Sequence, residues 1–370
     1  MWVLTDDRPG NTTQSLGLAD ALGWPYIVKE LSFSGLARLH KVHERLLGAT
    51  TLCLDKKSLC SLVPPWPEVV ISAGRRAAPI ARWIRKQSQG KAKLIQLGRK
   101  GSQSAHQFDV SISPAYCHMW PSDQRIETLM PLNRVTNQRL DAAAQEWKAL
   151  FGDSPHPHIV LLVGGSTVRY VLDQAVARRL GNDVLEFVKE AGGTLHVVTS
   201  RRTGQSSTNA LVETVRASSF VRTWEPGQQH NPYWGYLAVA DVIIVTGDSE
   251  SMVGESVAAG KHVYIYPLPE NPLSGLSRFR EWIVVTGRKT LDSSSNGNTF
   301  GMVIQHICAL LLRKGLVRPL RDLNVFHRGL IDQGYAFPFG QEYKTGNLLP
   351  LRESEVVSRK VKSILGFQDP

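Results

Sequence analysis

Short apolar runs and polar turns recur along the chain in a regular rhythm. Trp2 to Thr5, Tyr26 to Leu31, Glu68 to Gly74, Lys93 to Gly98 and Phe108 to Pro114 carry aliphatic and β-branched residues in the near-continuous manner of strands buried on both faces. Segments with helical spacing lie between them: Ser15 to Leu22 closed by Gly23, a stretch marked by Leu36, Leu39, Val42, Leu46 and Leu47, and about Ala77 to Gln87. Thr136 to Phe151 then reads as a helix, and Gly152 to His158 as a linker rich in Pro and Gly. After it the rhythm restarts. Strands are expected at Ile159 to Val163, Thr194 to Ser200, Phe220 to Trp224, Val242 to Val245 and Val263 to Tyr266. Helices are expected at Leu172 to Leu180, Asp183 to Ala191, Asn209 to Ala217, the second half of 225–241, and between Glu250 and Gly260. Alternating strand and helix predicts an α/β protein with parallel sheets covered on both faces. It has two Rossmann-like domains, residues 1–135 and 159–335. Residues 136–158 join them, and the 336–370 tail returns a helix, Ser354 to Leu365, to the first domain.

Composition narrows the class. Of 370 residues, 42% are hydrophobic and 20% charged, as in soluble globular proteins. No apolar run approaches the ~18 residues of a membrane span, and the first residues lack the pattern of a signal peptide. Cys53, Cys60, Cys117 and Cys308 form no CxxC pair, so a reducing, cytoplasmic setting is expected, without disulfides or a zinc site. The net charge of +11 is unevenly spread. No acidic residue lies between Glu68 and Asp109, an interval that holds Arg75, Arg76, Arg82, Arg85, Lys86, Lys91, Lys93, Arg99 and Lys100. Such a field attracts phosphates or anionic lipid and suits a peripheral place on an inner membrane; a solvated basic face is the alternative. No nucleic-acid recognition motif accompanies it, so nucleic acid is not an expected partner.

Candidate chemistry concentrates in Val242 to Pro267. A helix N-terminus after a parallel strand presents unpaired N–H groups. Ser249 and Ser251 add hydroxyls there, and Glu255 shares a helix face with Ser251. Small donors for a diphosphate followed by a carboxylate for ribose hydroxyls describe a nucleotide site. From spacing alone, the ordinary βαβ reading, with serines that cap a helix and a solvated glutamate, is the stronger one. Gly164, Gly165 and Ser166 form a loop after the restarting strand, where backbone can approach a ligand closely, and Arg201 and Arg202 follow the next strand, well placed for phosphate. The loop is neither GxGxxG nor a Walker-type phosphate loop. Gly247 to Ser251 lacks the final glycine of a nucleophile elbow. His156 and His158 have no third partner for a metal.

The stretch Gln228 to Tyr264, with its Asn231-Pro-Tyr block and Asp248-Ser-x-Ser-Met run, resembles the mitochondrial-fission Elm family. Gly10 to Gln14, Gly17 to Leu22, Ile71 to Arg75, Ile95 to Arg99 and Phe108 to Pro114 support it, and the tail past residue 315 is similar to the bacterial branch. Plant members of that family act as adaptors for a dynamin-type fission protein. Gln228, Asn231 and Glu250, within this stretch, are further candidates for the nucleotide site. Arg8, Gly10, Asn11, Gln14, Gly74, Arg75 and Arg99 are candidates for an acceptor or phosphate side in the first domain.

A more distant similarity is to GT-B glycosyltransferases, which hold a nucleotide sugar on the second of two domains facing a cleft. Glu255, Gly260 and Pro267 fit their donor motif, and Gly164 to Ser166 their glycine loop; Asp248 to Ser251 departs from the expected pattern. This likeness implies transfer to an envelope or lipid-linked acceptor without metal or cofactor, the nucleotide sugar being a substrate. Asp6 or Asp7 would then be the base, although either is equally a turn or cap residue. An inert scaffold and a nucleotide-sugar epimerase or hydrolase are the competing expectations.

Overall fold

The computed structural model describes residues 1–34, 48–98, 102–152, 154–216, 219–225, 232–291, 299–343 and 348–367. The helix expected across Leu36 to Leu47, Arg99, Gln228 and Asn231 lie outside the described residues. Two compact units emerge: Met1–Arg134 with Ser274–Asp322 and Glu353–Pro370, and Val135–Leu273 with Leu323–Arg352.

The first unit is built on a six-stranded sheet in the order β2-β1-β3-β4-β5-β6, with parallel neighbours throughout. Its strands are β1 (Trp2–Thr5), β2 (Ile27–Glu30), β3 (Val69–Ala73), β4 (Lys93–Leu97), β5 (Val110–Pro114) and β6 (Arg125–Thr128). The period-two alternation of strand side chains divides the core in two. Val3, Ile71, Ile95 and Val110 pack on one face against α1 (Pro9–Leu22) and the C-terminal helix. Trp2, Leu4, Val70 and Leu94 pack on the other, against α3 (Gly74–Gln87), while α2 (Lys56–Ser61) lies near β2. Helix α1 starts at Pro9, earlier than the polar Asn11 to Gln14 stretch suggests. Proline at the first helical position brings its own φ and sacrifices an N–H that would be unpaired anyway, so Gly10, Asn11 and Gln14 belong to the helix.

The second unit opens with α4 (Asn137–Glu146) and α5 (Lys148–Phe151). They break at Trp147 where one helix was expected, and Gly235 packs on that tryptophan. A six-stranded sheet follows in the order β12-β11-β10-β7-β8-β9, again parallel, with the two-residue β12 (Phe337–Pro338) at one edge. Its strands and helices alternate: β7 (His158–Val163), α6 (Gln174–Ala191), β8 (Thr194–Thr199), α7 (Gln205–Val215), β9 (Ser219–Arg222), α8 (Tyr233–Val239), β10 (Val242–Thr246), α9 (Glu250–Ala258) and β11 (His262–Tyr266). Strands β7 and β10 are buried along their whole length. Helix α6 runs without a break through Gly181, where two helices were expected. A Cβ there would stand 2.8 Å from Thr214 on α7, so the glycine serves close helix packing rather than termination.

Helices α10 (Gly275–Arg288) and α11 (Thr299–Arg313) pack on each other within the first unit. Helix α12 (Leu323–Asp332) and the short β12 (Phe337–Pro338) return to the second unit. Helix α13 (Glu353–Leu365) lies on α1 in the first, its Glu353 accepting from the Leu129 and Met130 amides at 2.6 and 2.7 Å. No helix among the described residues is long and apolar enough to cross a membrane.

Candidate functional site

In the second sheet, β7 comes first in sequence but lies between β10 and β8. Connections from β7 and β10 therefore run in opposite directions and leave a crevice at their carboxyl ends, where ligands of such sheets bind. The two loops meet there through Asp248. Its carboxylate accepts from the Gly165 amide at 3.0 Å and from the Thr246 hydroxyl at 2.7 Å, and pairs with Arg202 at 2.9 Å. The Thr246 hydroxyl in turn accepts from the Gly164 amide at 2.8 Å. The Asp248 side chain is fully buried. Burial raises its pKa, with Arg202 opposing. The glycines answer to this packing: a Cβ at Gly164 would fall 2.3 Å from Asp248 Oδ2, and one at Gly165 1.9 Å from the Arg202 carbonyl. Ser166 closes its own loop, exchanging hydrogen bonds with the Leu172 backbone.

Helix α9 starts at the other side of the crevice. Ser249 holds its cap position without a side-chain cap bond, and Ser251 lies in the first turn beside Glu250. Glu255 is half-buried and accepts from the Tyr233 hydroxyl, at the start of α8, at 2.6 Å. Loss of water pushes its pKa up to about 7, against the hydrogen bond, which favours the ionised form. No cation pairs with Glu255 among the described residues. Beyond β8 and β9 the same edge carries a cavity of about 560 Å³. Thr199, Arg201, Gln205, Asn209, Trp224 and Glu225 are among its lining residues. Arg201 thus faces the cavity, while the adjacent Arg202 faces Asp248.

The first sheet has its own switch point, between β1 and β3. Asp6, after β1, accepts from the Arg8 amide at 3.2 Å and from the Asn11 amide group at 3.2 and 3.1 Å. Burial raises its pKa. Gly74, at φ +74°, abuts the Asn11 side chain, and Gly98 lies near Gln14. Exposed Asp7 pairs instead with Arg76 at 2.9 Å, and Arg75, next to it, is half-buried. So Asp6, Asn11 and Gly74 come together, while Asp7 turns away to Arg76.

Residues 9–288 match the family model described as Mitochondrial fission ELM1. The chain belongs to that family. An uncharacterized protein of Rickettsia prowazekii (strain Madrid E) is 26% identical over 307 residues, covering 73% of this chain and 83% of its own length. The mitochondrial fission protein ELM1 of Arabidopsis thaliana is 27% identical over 223 residues, 54% of this chain and 51% of the plant protein, so this match spans about half the plant protein. Among solved structures, the UDP-GlcNAc 2-epimerase of Methanocaldococcus jannaschii superposes with a TM-score of 0.47 at 11% identity, covering 98% of this chain and 99% of the other.

Three parts of this candidate site escape a reading of the sequence alone. Tyr233 stands in the Asn231-Pro-Tyr block, but its link to Glu255 spans 22 residues. Asp248 departs from the donor pattern, and that departure was the only signal that the glycine loop has an internal partner. Trp224 ends a strand-like run and carries no motif; only the cavity singles it out.

Proposed function

We propose that the chain is a glycosyltransferase that takes a nucleotide sugar at the carboxyl edge of its second sheet and passes the sugar to an envelope or lipid-linked acceptor. The observation that carries this reading is the Glu255–Tyr233 pair. A carboxylate held by a neutral hydroxyl, with no cation pairing with it among the described residues, keeps acceptor capacity for the two hydroxyls of a ribose. Ser249, Ser251, the start of α9 and Arg201 would meet the charge that builds on the diphosphate as it leaves. Trp224 offers the cavity an aromatic face for the base. In the transfer the acceptor oxygen bonds to the sugar carbon, the bond from that carbon to the phosphate oxygen breaks, and the acceptor proton passes to a carboxylate. Of the two carboxylates after β1 in the first unit, Asp6 is the better suited to take up a proton, because burial raises its pKa whereas Asp7 is tied to Arg76. The basic 75–100 interval fits an anionic surface bearing the acceptor.

A second reading, a non-catalytic scaffold of the fission-adaptor kind, is favoured by one feature. Asp248 already satisfies the Gly165 amide and Arg202, two groups a diphosphate would use. Thermal unfolding against a panel of nucleoside diphosphates separates the readings. A ligand at ~100 times its Kd stabilises the native state by about 2.7 kcal/mol. One nucleotide should raise the midpoint, and Glu255→Ala should abolish the shift. A cooperative melt that no nucleotide moves would favour the scaffold.

A further inference from the structure

Helices α10 and α11 bury only one side of each in their mutual contact. On α11 the packed side is Cys308, Ala309 and Leu312, lying so close to α10 that a Cβ on Gly287 would stand 2.9 Å from the Ala309 nitrogen. The opposite side of α11 repeats Phe300, Val303, Ile307 and Leu310 at the spacing of an apolar stripe, yet these are 75, 51, 53 and 49% exposed. With Met302 and His306, the last three line a shallow apolar groove of about 400 Å³. On α10, Phe279 and Trp282 stack with ring centroids 5.8 Å apart and are also exposed, as is Val285. Scattered apolar residues on a surface need no explanation, but an exposed repeat along one face of a helix does.

Charge names the occupant. From Ser274 to Arg321 the sequence carries eight basic residues against two acidic ones, Glu281 and Asp292. Arg278, Lys289, Arg313 and Lys314 are exposed. A second copy of the same hairpin would bring like charges together, whereas an anionic lipid surface accepts both the apolar stripe and the cationic rim. We propose that the α10–α11 hairpin docks on an anionic bilayer through α11, whose exposed apolar stripe enters the headgroup boundary while the helix lies on the surface. This contact is separate from the donor-site reading and from the basic 75–100 interval.

Vesicle flotation of the full chain tests it. The wild type should float with vesicles of phosphatidylcholine containing about 30 mol% phosphatidylglycerol and stay behind with pure phosphatidylcholine. Phe300→Glu with Ile307→Glu, both on exposed side chains, should reduce bound protein at least tenfold while leaving the unfolding midpoint and any nucleotide-induced shift unchanged. Should that pair fail to fold, Arg313→Gln with Lys314→Gln should weaken binding and flatten its salt dependence. Three results would overturn the proposal: no flotation of the wild type; flotation that survives the α11 changes but is lost in Lys86→Glu with Lys91→Glu; or a wild-type dimer in sedimentation equilibrium that the α11 changes dissolve.

Discussion

Glu255 is held dry enough to resist ionisation, yet its proposed role needs it ionised. Its pKa rises from 4.5 to about 7 in the folded chain. Between those values the native state holds a proton that the unfolded chain has lost, so this group stabilises the fold at low pH and the stabilisation fades as pH rises through about 7. Glu255→Gln should therefore be more stable than wild type by about 1–2 kcal/mol at about pH 8, with the gap closing toward pH 4.5, as read by denaturant titration at several pH values. Tyr233→Phe removes the hydrogen bond that favours the ionised form, so the pKa should move higher still. Nucleotide-induced stabilisation should then weaken at neutral pH and recover in more alkaline buffer; an unchanged pH profile would count against a positioning role for Tyr233. The i to i+4 spacing from Ser251 made Glu255 legible, because helix geometry is local. Tyr233 was not legible as its partner, because nothing local places the start of α8 against the middle of α9.

At the level of elements, strands and their polar loops followed from the chain's periodicity, and the departures have local causes. Pro9 starts α1 before the first apolar residue, and Gly181 stays helical because Thr214 on α7 needs the space. The glycine loop after β7 was legible as a place of close approach, but what approaches it in the structure is Asp248 and the backbone of Arg202. Gly165→Ala would put a Cβ 1.9 Å from the Arg202 carbonyl, which only a shift of backbone can relieve. A loss of about 3 kcal/mol or more is expected in chemical unfolding. The mild effect typical of an open ligand loop would show that the loops after β7 and β8 are not locked together.

Across the whole molecule, pH stability has a second contributor in the second unit. His196 is fully buried and stacked on Phe220, beside His158, Phe151 and Tyr236. Neither ring nitrogen has a hydrogen-bond partner among the described residues. Burial first, then His158, lowers its pKa from 6.5 to about 4. The native state thus refuses a proton that the unfolded chain takes up below pH 6.5, so stability is full above that value and is lost as pH falls toward 4. His196→Phe should remove about 2–3 kcal/mol of this acid sensitivity and flatten the acid limb of the stability profile. By itself the sequence determined what is short-range: two parallel α/β sheets, the restart after residue 158, the basic interval, and the spacing of Ser249, Ser251 and Glu255. These follow from periodicity and composition, which a linear chain displays. Tertiary structure alone decided the rest. Asp248 meets Gly165 across 83 residues, residues 274–322 join the first unit, and one side of α11 is left uncovered. Each of these depends on strand order and on which helix faces find partners, and both are settled only when distant segments compete for the same core.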